Sequence, residues 1–384
     1  MWLHLFSQKL RITMKAKQLT ILLMWLTTSF TASAATTDKQ TLINEWKDSV
    51  RHVFADAYRN KVLVNDSLTM KLHWSVYGPK PADGYALYIS LHGGGGAPAE
   101  LNDQQWENQK RLYRPQGAVY LSPRAITNSW DLHFRPEDDT FYRQIIMMMQ
   151  AYCDVNPNKV YIMGYSAGGD GVWRLGPRMA DHWAAASMMA GHPGDVSLLN
   201  LRNTPFMIWC GQLDDAYDRV YRCQDRIAEM DSLHAADPEG YIHEGHIVEG
   251  KGHWMDRVDT VAVSWMANYQ RNPYPKRVVW HQADVVTPYF YWLSAPANEL
   301  ARDKEVRADI NGNTITISRC DYSQLTLSLC QEMVDLKKPV TVIYQGRKLF
   351  KGKVKSQPGL LRRTLYQRND PAYMFPAQVT VKIK

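Results

Sequence analysis

Five short apolar runs, at 85–91, 118–121, 160–163, 184–190 and 205–209, recur through the first half of the chain with stretches of helical character between them. Each is too short for a helix that must bury a stripe and shows no alternation of polar and apolar residues. Strands covered on both faces read in this way, because neither face meets water. Parallel neighbours of that kind need a crossover of a dozen or more residues, which the intervening helical stretches supply. The constraint is therefore an α/β arrangement with a mainly parallel sheet flanked by helices. With 384 residues, 45% of them hydrophobic, the chain carries enough apolar surface for such a core and for a smaller second unit.

The flanking segments follow different periods. Leu42, Ile43, Trp46, Val50, Val53, Phe54 and Ala57 fall at helical spacing, and Met70, Leu72, Trp74 and Val76 alternate with Lys71, His73, Ser75 and Tyr77 as in a half-buried strand. The next strand is expected over 241–248, and a helix from near Asp256 to Gln270. The prolines of Asn272-Pro273-Tyr274-Pro275 stop that helix. Beyond them only strands are expected, at 314–318, 324–330 and 339–344, with turns at Asn311-Gly312 and Gln345-Gly346. Residues 35–272 accordingly read as one α/β unit and 275–384 as a small all-β, sandwich-like unit. Tyr289-Phe290-Tyr291-Trp292 reads as a single strand whose aromatics seal the joint between the units or overhang a cleft.

At the other end, Lys15 and Lys17 precede an apolar run over 19–30 and then Ala32-Ser33-Ala34, the pattern of a cleaved export signal over 1–34, with Met14 an alternative start. The run is shorter than the roughly 20 residues that span a bilayer, so no stable membrane span is expected, and the location is periplasmic or secreted. The segment holds Lys9, Arg11, Lys15 and Lys17 and no acid, four of the seven net positive charges of the chain. What remains is too small a charge for a nucleic-acid partner. Five scattered cysteines make no disulfide framework and no zinc site; only Cys320 and Cys330 look pairable.

Chemistry enters at Gly164-Tyr165-Ser166-Ala167-Gly168, a G-x-S-x-G in which small flanking residues permit a strained turn that exposes a serine hydroxyl. The motif alone is unspecific, but a buried-strand run leads into it and a helical stretch leads out. Upstream, His92-Gly93-Gly94-Gly95-Gly96 closes the 85–91 strand. Such a glycine run brings backbone N–H groups close to a developing oxyanion, which makes Gly93 and Gly94, with Gly95 as a third option, candidate donors beside the N–H of Ala167. A serine nucleophile needs a base, and the base an orienting acid. Asp214, with Asp215 as competitor, lies just past the 205–209 strand. His253, in Gly250-Lys251-Gly252-His253, is the one histidine of twelve on a glycine-rich loop after a strand. His243 and His246 have metal-like spacing but lie inside a strand pattern without a third ligand, so no metal and no cofactor is expected.

The stretch from Asp138-Asp139-Thr140-Phe141 through Val155-Asn156-Pro157-Asn158-Lys159-Val160-Tyr161 to Gly164-Tyr165-Ser166-Ala167-Gly168-Gly169 resembles the central block of the α/β-hydrolase superfamily. It is most similar to the poly(3-hydroxybutyrate) depolymerase and feruloyl esterase group, over roughly residues 60 to 270. The resemblance implies a Ser166, Asp214, His253 triad and an exported esterase acting on a small-molecule or polymer-derived ester. It departs at Asp170-Gly171-Val172-Trp173-Arg174 and in the appended β unit, which leaves the substrate open. Trp130 and His192, with Arg124 a weaker candidate, are expected to line the cleft, and Asp170 to suit a helix N-terminus. An exported peptidase of the same fold and a catalytically inactive binding protein stand as alternatives.

Overall fold

The computed structural model describes residues 38–383, so the expected export segment over 1–34 lies outside the described residues. Helix α1 (Lys39–Val53) buries Leu42, Trp46 and Val50, four residues apart on one stripe. It breaks at Phe54 before a short α2 (Ala55–Asn60), rather than running through Ala57 as its periodicity suggests. A hairpin follows, of β1 (Val62–Asn65), which the sequence did not disclose, and β2 (Leu68–Tyr77).

The remaining strands of the large sheet are β3 (Tyr85–Leu91), β4 (Ala118–Pro123), β5 (Val155–Tyr165), β6 (Ala185–Met189), β7 (Phe206–Gly211) and β8 (His243–Val248). Their order is β1-β2-β4-β3-β5-β6-β7-β8, with the first two strands antiparallel and the rest parallel. Helices α3 (Ala99–Gln109), α4 (Asp138–Tyr152), α5 (Ala167–Arg178), α6 (Arg219–Ala236) and α7 (Val261–Ala267) make the connections. Leu87 and Ile89 face one apolar cluster and Tyr88 the other, so the sheet is dry on both sides, as the unalternating runs require. This strand order with its antiparallel edge is the α/β-hydrolase fold. Helix α7 is shorter at both ends than the periodicity suggested, since a 3₁₀ turn occupies 258–260 and the helix ends at Ala267.

After Pro275 the chain builds two smaller sheets. β9 (Arg277–His281), β12 (Glu305–Asn311), β13 (Thr314–Cys320), β15 (Val340–Tyr344) and β16 (Arg347–Gly352) form one; β10 (Tyr289–Phe290), β11 (Leu293–Ser294), β14 (Gln324–Leu329) and β17 (Ala377–Lys382) form the other. Both contribute to a single apolar cluster that includes Trp280, Val306 and Ile317 on one side and Leu325, Leu327 and Val379 on the other. The Gln345-Gly346 turn has positive φ at both residues (45° and 76°), as a two-residue hairpin requires.

Two expectations fail here. The region is not strands alone: α8 (Leu360–Arg368) packs Leu365 against Leu42, Trp46 and Val50 of α1. Tyr289 to Trp292 is not one strand, because Tyr291 has φ 50° and turns the chain, pairing Tyr289 with Ser294 and Phe290 with Leu293. Its buried aromatics do lie at the joint, where the Tyr291 hydroxyl donates to the Ala180 carbonyl (3.2 Å) and Trp292 Nε1 to that of Pro275 (2.9 Å). Cys320 and Cys330 are both buried, and no disulfide joins them.

Candidate active site

Ser166 stands between β5 and α5 with φ 58° and ψ −124°, a conformation a residue with a side chain adopts only when its surroundings impose it. The glycines at either side show what imposes it. A Cβ on Gly164 would lie 2.3 Å from the Gly168 carbonyl oxygen, and one on Gly168 would lie 2.2 Å from that of Leu91. Strand and helix therefore approach so closely at the turn that backbone meets backbone. Gly168→Ala is expected to cost about 1–3 kcal/mol, the usual range for forcing atoms into a packed site, because no side chain can swing aside. A urea-unfolding midpoint that drops at constant slope checks this.

The candidate acid and base, Asp214 and His253, arrive from the carboxyl ends of β7 and β8, on the same edge of the sheet as the elbow. His253 Nε2 lies 2.9 Å from Ser166 Oγ, and His253 Nδ1 lies 2.8 Å from Asp214 Oδ2. With the ring neutral, Nδ1–H donates to the carboxylate and Nε2 accepts the serine hydroxyl, a tautomer inferred from the partners. Asp214 is 3% exposed, whereas the competing Asp215 is exposed and the carboxylate bonded to His253 is that of Asp214. Burial pushes the Asp214 carboxyl up; the hydrogen bond from His253 and the charges of His253 and Arg219 outweigh it and hold it below its ordinary value. The His253 loop is pinned by Tyr165, whose hydroxyl donates to the His253 carbonyl (2.7 Å) and accepts from the Met255 N–H (3.0 Å).

Gly93 is the member of the glycine run that abuts Ser166, since a Cβ there would lie 3.3 Å from Ser166 Cβ. Ala167 is the first residue of α5, so its N–H has no partner within the helix. Gly94, with φ 116°, packs against the Asn102 side chain. Gly95 is ruled out as a donor because its N–H is given to Asn102 Oδ1 (2.9 Å). Asn102, wholly buried, also donates to the carbonyls of Ala97 (2.9 Å) and Pro98 (3.1 Å), and so clamps the loop. From below, His92 Nδ1–H donates to the Gly93 carbonyl (2.6 Å), its Nε2 accepts from Ala125 (3.1 Å), and His133 Nε2 donates to the His92 carbonyl (2.9 Å). Burial pushes the His92 imidazole down to about 4, so the ring is neutral in this network at ordinary pH.

The softer candidates divide. Trp130 is 67% exposed, packs edge-on against Phe134 and carries its carbonyl beside Gly95. His192 is half-buried with Nδ1 accepting from Gly194 (3.0 Å), and burial with the charges of Arg219, Arg222 and Arg174 lowers its pKa. Arg124 is not a cleft residue. It is buried, and its guanidinium is spent on Asp103 (2.7 Å), on Asn128 and on the carbonyls of Ala125 and Thr127. Asp170 is more than a helix-end acid: it accepts from the His192 N–H (2.6 Å), and burial raises its carboxyl to about 6. His243 bonds to Asp231 (3.1 Å), while His246 stacks on Trp209.

Sequence reasoning missed Asn102, Tyr165, His133 and Arg219. For Arg219 a signal existed: a cation at the first position of a helix opposes the macrodipole, which makes it an anomaly that needs an anionic partner.

No family model matches the chain. A curated protein of Nocardia uniformis subsp. tsuyamanensis, described as "Putative esterase NocK", is 26% identical over 171 residues. These cover 42% of this chain and 49% of that protein, so the chain spans about half the length of the curated relative it matches. Among solved structures the chain is similar to a thermostable esterase, with 18% identity over 55% of this chain and 62% of that one and a TM-score of 0.44. It is also similar to a ferulic acid esterase, with 16% identity over 54% and 96% of the two chains and a TM-score of 0.38.

Proposed function

We propose that this chain of α/β-hydrolase fold is an exported serine hydrolase that cleaves carboxylic esters through an acyl-enzyme. The observation that carries the reading is the pair of contacts on one imidazole, Nε2 to Ser166 Oγ at 2.9 Å and Nδ1 to Asp214 Oδ2 at 2.8 Å, with Ser166 on a strained elbow. In the first step His253 removes the hydroxyl proton as Ser166 Oγ attacks the ester carbonyl, and the N–H groups of Ala167 and Gly93, or Gly94, receive the negative charge on the oxygen. His253 then returns the proton to the departing alcohol. In the second step it takes a proton from water as the water oxygen attacks the acyl carbon, then gives that proton to Ser166 Oγ as the acyl–oxygen bond breaks and the carboxylic acid leaves. Asp214 stays ionised throughout and stabilises the imidazolium.

Ester is favoured over amide because the curated relative is described as an esterase. The surroundings suit a substrate received at the surface: the His253 side chain is 46% exposed, and exposed aromatics stand next to it at Trp254, near the glycine run at Trp130 and by the Arg219 guanidinium at Tyr217. Flat apolar faces of that kind stack on a ring or an acyl chain. His192 is a further contact on the cleft side of β6. Export rests on the residues over 1–34, and the division into a catalytic unit over 35–272 and a β unit over 275–384 rests on the change of pattern at the proline pair. Two measurements test the assignment. A fluorophosphonate probe is expected to label Ser166 in the folded protein, and an unlabelled serine would make the chain a binding module. On a panel of aryl esters and dipeptidyl amides, ester turnover is expected to exceed amide turnover, and the reverse ranking would make it a peptidase.

A further inference from the structure

The acid of the relay has a second partner. Arg219, first residue of α6 and five residues after Asp214, is 7% exposed, and its Nη1 donates to Asp214 Oδ1 at 2.5 Å. The same Nη1 lies 3.2 Å from His253 Nδ1, a proximity rather than a bond while Nδ1–H is given to Asp214. The two carboxylate oxygens are thus divided, Oδ2 to the histidine and Oδ1 to the arginine. The carboxylate is held by two charge-bearing or polarised donors and cannot rotate without losing one of them.

Two features speak against a mere stabilising ion pair. The guanidinium is set end-on, through one nitrogen, with its Nε buried and without a partner among the described residues. A pair with that geometry recovers little of the cost of burying the charge. The backbone between the partners is also contorted, since Tyr217 (φ 60°) and Asp218 (φ 56°) both lie in the left-handed region. That double turn swings the start of α6 back onto the acid, where the Val220 N–H donates to the Asp214 carbonyl (3.1 Å). Strain of this kind persists where the surrounding structure imposes it, and here it delivers a cation to the one carboxylate that orients the base.

We infer that Arg219 is a positioning residue for the hydrolytic relay: it holds the Asp214 carboxylate in the orientation that accepts the His253 Nδ1–H, and so keeps Nε2 turned to Ser166. The inference rests on the triad reading proposed above. Arg219 acts through geometry rather than charge, because its charge opposes the imidazolium that forms beside it. Asp170, which also faces Arg219, offsets part of that opposition.

Arg219→Met tests this, with Arg219→Gln as a second variant should the first not fold. The expected result on an aryl ester is a fall in kcat of about tenfold with KM within about twofold, since an orienting contact is used in the transition state and not in binding. In the Asp214→Asn background the same substitution is expected to add less than about twofold, because its route has already been removed. The low-field proton resonance of a His253 Nδ1–H held by Asp214 is expected in the wild-type protein, and to be lost or shifted upfield in the variant while the thermal midpoint stays within a few degrees. A small guanidinium compound added to Arg219→Ala is expected to restore part of the rate. Wild-type kcat and an unchanged low-field signal in folded Arg219→Met would overturn the inference, as would losses that multiply in the double variant. A wild-type protein that neither labels at Ser166 nor turns over esters would instead defeat the triad reading, and the resonance would still report whether Arg219 holds the carboxylate.

Discussion

Ser166→Ala is expected to leave the protein folded and to lower ester hydrolysis by roughly 10³-fold or more. In the proposed mechanism the hydroxyl oxygen is the atom that forms the bond to the acyl group, and alanine cannot replace it. Its removal costs the fold little, because Ser166 is half-buried and the Oγ bonds to the partly exposed His253 ring rather than to the core. The turn itself is held by backbone contacts that alanine retains, the Ser166 N–H to the Met189 carbonyl (2.9 Å) and the Ser166 carbonyl to the Asp170 N–H (3.0 Å). His253→Ala is expected to match it, and the double variant to be no slower than either single, since members of a relay fail as a unit. Steady-state rates on an activated aryl ester, with near-ultraviolet circular dichroism as the control for folding, decide it. More than a tenth of the wild-type rate in Ser166→Ala would move the nucleophile elsewhere.

The second large effect lies at the joint between the hydrolase sheet and the region after Pro275. Arg271 and Asp370 form an ion pair of 2.7 Å with side chains 1% and 2% exposed, and Arg271 also donates to the Asp181 carbonyl (2.8 Å) and to Asn158 Oδ1 (3.1 Å). Arg368 bonds to the Asp181 carboxylate (2.5 Å) and the Tyr373 hydroxyl to its carbonyl (2.7 Å). Asp370→Ala leaves the arginine charged and buried without its partner, an arrangement that costs about 3–5 kcal/mol. The double variant Arg271→Met with Asp370→Leu is expected to recover most of that loss, because both charges are then gone. Urea unfolding measures both. A loss under about 1 kcal/mol in the single variant would mean the β region is tethered rather than docked. The pH dependence has a definite sign. Burial raises the Asp370 carboxyl, but the Arg271 guanidinium outweighs it and leaves the group below its ordinary value. A depressed folded value means that the pair's contribution is present above the unfolded carboxylate range and is lost as pH falls through the folded value. Acid unfolding of Asp370→Asn is therefore expected to be less steep than that of the wild-type protein.

Several features were readable without coordinates because their signals are consecutive residues. The unalternating runs at 85–91, 118–121 and 160–163 declare strands buried on both faces, since burial of each residue follows from its own chemistry. The elbow is readable because only glycine, lacking a Cβ, fits at 164 and 168 where backbone meets backbone, and the choice of Asp214 over Asp215 followed from its nearness to the strand end. Misreadings occurred where a local pattern admits two shapes. Four aromatics at 289–292 fit a strand or a tight hairpin equally well, and tertiary contacts such as Tyr291 with Ala180 and Trp292 with Pro275 go with the hairpin. Helix α8 has nine residues and a short apolar stripe, and its partner α1 lies more than 300 residues earlier in the chain.

The class of fold, the elbow and the proposed chain order of serine, acid and histidine were legible in the sequence alone, each set by short-range sterics and by the burial preference of neighbouring residues. Which polar groups meet was settled by the three-dimensional packing. Arg124 and Arg219 are equally charged in the sequence, yet one is consumed by Asp103 and its own loop, and the other is turned by two left-handed residues onto the acid of the relay. Asn102 clamps Gly95 across a loop that no periodicity describes. The physical reason is that apolar burial is nearly directionless and survives small errors of placement, whereas a hydrogen bond or an ion pair exists only when two groups far apart in the chain arrive within a few tenths of an ångström of one another.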